Sequence, residues 1–145
     1  MVSVVWHGIK EAVGAVGAIS ARMEAATQRA TREVLHLIER RTKQRLAEKS
    51  HKRGTPTPSG AGEPPALITG NLRRSISVSG PEPMGLGVWG GKVGPTAIYG
   101  RVQELGGTTA RGTLPARPYL RPSLEELLPE IAEIYRAAWA SAIVS

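Results

Sequence analysis

The chain has 145 residues, a length that fits one domain with a modest hydrophobic core. Cysteine is absent, which excludes disulfides, thiolate zinc sites and cysteine nucleophiles, and aspartate is absent too, which removes the usual acid of hydrolytic triads and magnesium clusters. The net charge of +7 favours contact with polyanions or with acidic protein surfaces, without deciding between them.

Metal ligands and aromatic residues are sparse. His7, His36 and His51 lie far apart and share no metal-ligand spacing, so we expect no metal and no cofactor. Phenylalanine is absent, and three Trp and three Tyr supply all of the aromatic bulk. The core must therefore be built from small aliphatic residues, a composition that would suit stabilisation by partner chains.

The first segment of the chain is apolar and rich in small residues. Val2 to Trp6 is a β-branched run that predicts a short edge strand. Ile9 to Ile19 has a loose helical rhythm weakened by Gly14 and Gly17, which predicts a soft first helix.

A second, longer helix is predicted to begin after Ser20 as N-cap and to run to about Lys49. Its apolar positions recur three or four residues apart, as in an amphipathic helix, and Glu39 and Lys43 are spaced for an ion pair. The apolar positions are Met23, Ala26, Ala30, Val34, Ile38, Thr42 and Leu46. The opposite face, with Arg29, Arg32, Glu33, Arg40, Lys43 and Glu48, is either a solvated surface or a basic surface for DNA or an acidic neighbour.

Residues 50–66 lack apolar periodicity and are crowded with Pro, Gly, Ser and Thr, so they predict a long loop. We interpret this Pro/Gly-rich loop as a flexible segment that orders against a neighbour, or as a plain linker. The end of the helix and the start of the loop together carry a basic cluster, which gives the candidate contacts for DNA or an acidic partner. These are Arg40, Arg41, Lys43, Arg45, Lys49, Lys52 and Arg53.

The middle of the chain predicts a small antiparallel meander. Thr69 is a fair N-cap for one helical turn, in which Leu72 points inward while Arg73 and Arg74 point outward. Three short strands should follow, separated by turns at the Pro and Gly residues. The predicted strands are Ser75–Ser79, Leu86–Trp89 and Lys92–Gly94, with turns at Pro81–Gly85 and Gly90–Gly91.

The segment from Tyr99 to Pro122 is the one around which we expect the fold to be organised. Ile98 to Leu105 predicts a short helix that ends at Gly106, and a loop of small residues follows. In the strap, defined as Arg117 to Pro122, two prolines should hold Arg117 and Arg121 outside the helical region.

The last helix is predicted to start at the capping-box sequence from Ser123 to Glu126, with Leu127 and Ile134 on its apolar face. Pro129 predicts either a kink or a fresh helix start. The order of elements predicts an α+β fold: a long N-terminal amphipathic helix packed on a small antiparallel β-sheet, with a C-terminal helix. We expect residues 1–145 to form one domain.

Four phrases, GEPP, TGNLRRSI, IYGRVQELGG and ARPYLRP, occur in order before the last helix. Together they resemble the gene-product-ten-like neck and tail-component family of long-tailed bacteriophages, which includes tail-completion and head–tail joining proteins. The resemblance covers about residues 20–145. It assigns motif positions to Thr69, Gly70, Leu72, Tyr99, Glu104, Gly106, Arg117, Pro118, Tyr119, Leu120 and Pro122. Tyr119 stands where the family usually has Phe, and Gly100 stands where it often has Ala.

The resemblance implies structural work in a virion, with no catalysis. Such proteins form a homo-oligomeric ring, often a hexamer, at the head–tail junction or tail terminator layer, and DNA passes through the lumen. The implied partners are other copies of the chain, neighbouring connector and tail proteins and non-specific genomic DNA, with no membrane. The implied location is the virion neck, and the host cytoplasm during assembly.

Two other functions stay open on the residues alone. The basic cluster would suit a sequence-independent nucleic-acid-binding protein, although it lacks the aromatic residues that stack on single strands. Glu104 could serve as an acid or base in an enzyme, but we interpret it as a structural acceptor for backbone amides or for an arginine such as Arg117.

Overall fold

The computed structural model describes residues 8–54 and 59–145, so the strand predicted at Val2–Trp6 lies outside the described residues. The described chain is α+β, as predicted. It contains four helices and two small antiparallel hairpins. In chain order these are α1 (Ile9–Arg45), α2 (Asn71–Ser75), β1 (Ile76–Gly85), β2 (Val88–Pro95), α3 (Gly100–Leu105), β3 (Gly107–Thr109), β4 (Gly112–Leu114) and α4 (Leu120–Val144).

Helix α1 is a single helix of 37 residues, about 55 Å long. The predicted break at Ser20 is wrong, because Gly14 and Gly17 weaken a helix without ending it, and Ser20 is a helical residue. The helix also ends earlier than Lys49, at Arg45. The predicted apolar stripe is confirmed: its members from Ala26 to Leu46 are buried or half-buried.

The sheet has two strands, so the predicted three-stranded meander is wrong. Residues 81–85, predicted as a turn, continue β1, and the chain reverses between Gly85 and Val88. A register shift between Ser79 and Glu82 takes up the irregular Pro81 within one long hairpin. The predicted turn at Gly90–Gly91 lies inside β2. A Cβ at Gly91 would lie 2.4 Å from Cδ1 of Leu35, so glycine lets α1 approach the sheet closely.

The hydrophobic core lies where α1, the sheet and the start of α4 meet. Leu46, Ile76 and Tyr119 are each at most 2% exposed and form one cluster, against which Leu72 and Leu120 pack. The inward position of Leu72, predicted from the sequence, is therefore confirmed.

Helix α4 runs antiparallel to α1 and is held along it by polar contacts that cross the seam. Tyr135 and Thr31 are joined by a hydrogen bond of 2.8 Å between their hydroxyls, and the indole Nε1 of Trp139 donates to Oγ1 of Thr27 at 2.9 Å. The helix continues through Pro129, so the predicted alternative of a fresh start is wrong.

Residues 107–114 form a small hairpin, β3–β4, that the sequence did not predict. The short helix before it begins two residues later than predicted and ends, as predicted, at Gly106. Residues 46–70 connect α1 to α2 without helix or strand in their described part, apart from a parallel bridge between Ser50 and Leu67. The β3–β4 hairpin connects α3 to the strap, and the strap lies against α3.

Candidate functional site

The candidate site is the joint between α3 and α4, where one carboxylate caps the last helix. Oε2 of Glu104 accepts hydrogen bonds from the backbone amides of Tyr119 at 2.8 Å and Leu120 at 2.9 Å. Oε1 accepts from the amide of Arg121 at 2.9 Å. The prediction that Glu104 is a structural acceptor for backbone amides is confirmed.

This arrangement satisfies the start of α4 from outside the helix. The first turn of a helix has amides with no partner inside the helix and favours a negative charge. Here the first two helical residues, Leu120 and Arg121, donate to Glu104, and the third, Pro122, has no N–H to satisfy. The strap thus enters the helix at Leu120, and the prediction that Arg121 is held outside the helical region is wrong.

The predicted capping box at Ser123 is also wrong. Oγ of Ser123 donates to the carbonyl oxygen of Tyr119 at 2.6 Å inside the first turn, so Ser123 does not cap a later start. Its intended partner, Glu126, instead faces α1, where it accepts from Nη2 of Arg45 at 2.5 Å and from Nη2 of Arg41. The hydrogen bond from Arg41 is the main cause that lowers the pKa of Glu126 below its usual value.

Arg45 completes a polar chain across the joint. Its Nε donates to Oγ of Ser123 at 3.0 Å, while its Nη2 holds Glu126. The end of α1 is thereby tied to the first turn of α4. No sequence spacing indicated this network, because Arg45 and Glu126 are separated by 81 positions.

Tyr119 fixes the joint from its buried side. Its ring is fully buried, and its hydroxyl donates to the carbonyl oxygen of Gly100 at 3.0 Å. Burial, with a further contribution from the charge of Glu104, raises the pKa of Tyr119 above its usual range, so the hydroxyl stays a neutral donor. The Tyr119 hydroxyl, which the Phe usual in the resembling family lacks, therefore has a partner.

Gly100 lies where the structure leaves no room for a side chain. A Cβ at this position would lie 2.4 Å from Cγ of Pro95 and 3.1 Å from the Tyr119 hydroxyl. No side chain fits between β2 and Tyr119, so the glycine that starts α3 permits the close approach. Gly106, at φ +70°, ends α3 beside the backbone of Ala116.

The long loop is attached to the strap in its second half. Nε of Arg117 donates to the carbonyl oxygen of Ser59 at 2.9 Å, and the amide of Gly62 donates to the carbonyl oxygen of Ala116, also at 2.9 Å. Arg117 therefore does not pair with Glu104, the alternative partner considered from the sequence. Lys49 and Glu63 bridge the base of the loop with an Nζ–Oε1 distance of 2.7 Å.

The threonine-glycine motif lies on the other side of α3. Thr69, Gly70, Leu72 and Tyr99 line one cavity of about 190 Å³, in which Leu46 connects them to the core. Gly70, at φ +74°, is the N-cap of α2, and Thr69, predicted as the cap, lies one residue earlier. The structure thus gathers the four phrases, which span residues 62–122, around α3.

An apolar groove of about 480 Å³ opens beside the joint. Pro95, Ile98, Leu105 and Leu120 contribute to its walls, and the side chain of Ile98 is almost fully exposed at the rim. Within the groove, the carboxylate of Glu104 is engaged by three backbone amides.

The predicted basic cluster is largely engaged in ion pairs within the chain. Arg41 and Arg45 bind Glu126, Lys43 binds Glu39 at 2.7 Å, and Lys49 binds Glu63. Lys52 also has an interaction partner. Arg40 and Arg53, also in the predicted cluster, are exposed and form no ion pair within the described part of the chain.

The described residues contain no group of three or more His, Cys, Asp or Glu side chains that could hold a metal ion. None of the described helices is both long and apolar enough to cross a membrane. Comparisons with protein-family models, curated proteins and solved structures found no match. The family resemblance therefore stays a prediction from the four phrases and their order.

Proposed function

We propose that this chain is a structural virion protein that forms a homo-oligomeric ring at the head–tail junction of a long-tailed bacteriophage. The ring would be a neck, tail-completion or tail-terminator layer through which DNA passes, and sixfold symmetry is the first expectation. The supporting observation is that the four resembling phrases, spread over residues 62–122, meet around α3, from which Glu104 caps the start of α4.

A rigid joint is what ring assembly requires of a subunit. Identical copies close into a ring only when the rotation from one contact face to the other is the same in every copy. Three hydrogen bonds that Glu104 accepts, the buried Tyr119 hydroxyl and the Arg45 network fix the direction in which α4 leaves the body. A scaffold role also agrees with the contacts of the Glu104 carboxylate, which accepts hydrogen bonds from three backbone amides.

Mass photometry of the purified chain, followed by symmetric class averages from electron microscopy, tests the proposal. The expected result is a closed ring, formed by the chain alone or after addition of neighbouring connector and tail proteins. A chain that stays monomeric at micromolar concentration with and without those proteins would overturn it.

A second candidate function is sequence-independent DNA binding, and one observation favours it. Arg29, Arg32 and Arg40 are exposed at spacings that place them on one face of α1, and none forms an ion pair within the described chain. Such a stripe could face the phosphates of a duplex, whereas most of the originally predicted cluster is already paired.

Duplex binding at low and moderate salt tests this second function. Because counterion release carries such binding, affinity should fall steeply as salt rises. Reversing the charges of Arg29, Arg32 and Arg40 to Glu should abolish it, whereas reversing three exposed cations elsewhere should not. The matched control, with the same change in net charge, is Lys92→Glu, Arg101→Glu and Arg111→Glu. No binding at low salt rejects this function.

A further inference from the structure

The N-terminal part of α1 projects beyond the end of its partner helix. Ala142, near the end of α4, accepts a hydrogen bond from Nε of Arg22 at 3.1 Å, which marks where the α1–α4 seam stops. From Lys10 to Ala21, which we call the arm, every residue is exposed. The arm continues the helix for about 18 Å without any packing partner among the described residues.

The arm and the adjoining end of α4 form an apolar step. Val13, Val16 and Ile19 are 67%, 64% and 38% exposed, and they continue the stripe of α1 that packs on α4 further along. At the end of α4, Ile143 and Val144 are 58% and 88% exposed. Burying such side chains is favourable, so a helix lying in the line of α4 would complete the seam.

The charge of this surface indicates which occupant fits. The chain carries +7 overall, so most approaches between two copies are repulsive. Residues 12–21 and 137–145 contain no charged side chain, and Lys10 and Glu11 cancel at the start of the arm. A second copy can approach this neutral step without repulsion. A polyanion would find no net positive charge there. The arm also lacks the basic face with which a helix binds an anionic membrane surface.

The available area fits weak pairing. With 60–120 Å² per fully exposed aliphatic side chain, the exposed fractions of these residues and of Trp139 give roughly 350 Å² of apolar surface per copy. If about 65% of the interface is apolar, a pair would bury about 1,100 Å² in total, just above the roughly 1,000 Å² expected of a specific interface.

We propose that the arm is a self-association surface, on which the arm of a second copy lies antiparallel in the place that a longer α4 would fill. The contact is two-fold, so each arm covers the stripe of the other and its start abuts the other copy's α4. It goes beyond the ring, whose closure needs a head-to-tail contact that this pair does not supply.

The absence of cysteine makes a direct test clean. Val16→Cys, treated with a short bifunctional maleimide, should yield a covalent dimer whose fraction rises with protein concentration. Ala18→Cys, on the opposite side of the same helix, is the matched control and should yield at least tenfold less. Both positions are exposed, so neither change disturbs the packing of the described chain.

A second measurement needs no cross-link. Val13→Glu with Val16→Glu should raise the dissociation constant of the dimer at least tenfold in sedimentation velocity, whereas Ala18→Glu should change it less than twofold. The proposal is overturned if Val16→Cys fails to cross-link, or if it cross-links only to Ile98→Cys of a second copy, which would seat the arm in the groove. Rings that persist with the doubly substituted arm would leave the proposed function standing.

Discussion

Replacement of Glu104 by Gln tests whether its carboxylate holds the start of α4. The amide oxygen of Gln can still accept from Tyr119 and Leu120, but its NH₂ group would then face the N–H of Arg121, a donor against a donor. Losing a helix cap costs about 0.5–2 kcal/mol, and hydrogen bonds to a charged group are worth about 1.5–3 kcal/mol. We therefore expect Glu104→Gln to lower the free energy of unfolding by ~2 kcal/mol.

Urea unfolding followed by circular dichroism measures this loss, provided that the slope with denaturant stays unchanged. The same loss corresponds to a melting temperature lower by about 4–8 °C for a domain of this size. Glu125→Gln is the matched control, because that carboxylate is exposed and, among residues 8–54 and 59–145, pairs only with Arg121 one turn earlier, an interaction worth about 0.3–0.5 kcal/mol. If Glu104→Gln costs no more than Glu125→Gln, the carboxylate does not hold the joint.

Three further changes probe the surroundings of the joint. Tyr119→Phe leaves the carbonyl of Gly100 without its buried donor and should cost about 1–3 kcal/mol in urea unfolding, whereas an unchanged stability would mean that the bond is not formed. Gly100→Ala forces a methyl group against Pro95 and should cost about 1–3 kcal/mol or more, and a variant as stable as the parent chain would contradict the close approach. The pKa of Glu126 is lowered in the folded chain, chiefly by Arg41, so its stabilisation is present above its usual value of 4.5 and is lost as pH falls through the folded pKa. Thermal melts of Glu126→Gln and the parent chain should therefore differ at neutral pH and converge in acid, and a pH-independent difference would contradict this ion pair.

The parts of the fold that were predicted from the sequence depend on periodic burial. The stripe of α1 from Ala26 to Leu46 repeats at helical spacing, and the side chains do lie inward. The inward position of Leu72 and the end of α3 at Gly106 follow from similarly local signals. Predictions from such signals are correct because each depends on residues within one or two turns of the chain.

The predictions that failed depend on local sequence signals, and a residue distant in sequence makes the predicted contact instead. Ser123 and Glu126 have the spacing of a capping box, yet Glu104, at the end of another helix, caps α4 three residues earlier. Glu126 is then free of a capping role and accepts hydrogen bonds from Arg41 and Arg45 instead. A capping sequence states that a helix can start there, but only the tertiary arrangement decides which acceptor is nearest.

The basic cluster shows the same limit for function. Composition indicates a cationic surface, but it does not say which cations are already neutralised by acids from other segments. Glu63 forms an ion pair with Lys49, and Glu126 forms ion pairs with the two arginines at the end of α1. Arg29, Arg32 and Arg40, which are exposed and form no ion pair among the described residues, lie on the face of α1 that the sequence predicts as either a solvated surface or a basic contact surface.

The joint matters for assembly because it orients the whole of α4. The groove of Ile98 and Leu105 lies at the start of α4, and the other end of this helix of 25 residues lies about 37 Å away. The first turn of α4, held by Glu104, sets the angle at which the helix leaves the groove. In a ring of identical copies, a variable angle at each subunit accumulates, so closure gives way to open or mixed-size assemblies. If the chain forms the proposed ring, Glu104→Gln should broaden the distribution of ring sizes under conditions where the chain is still folded.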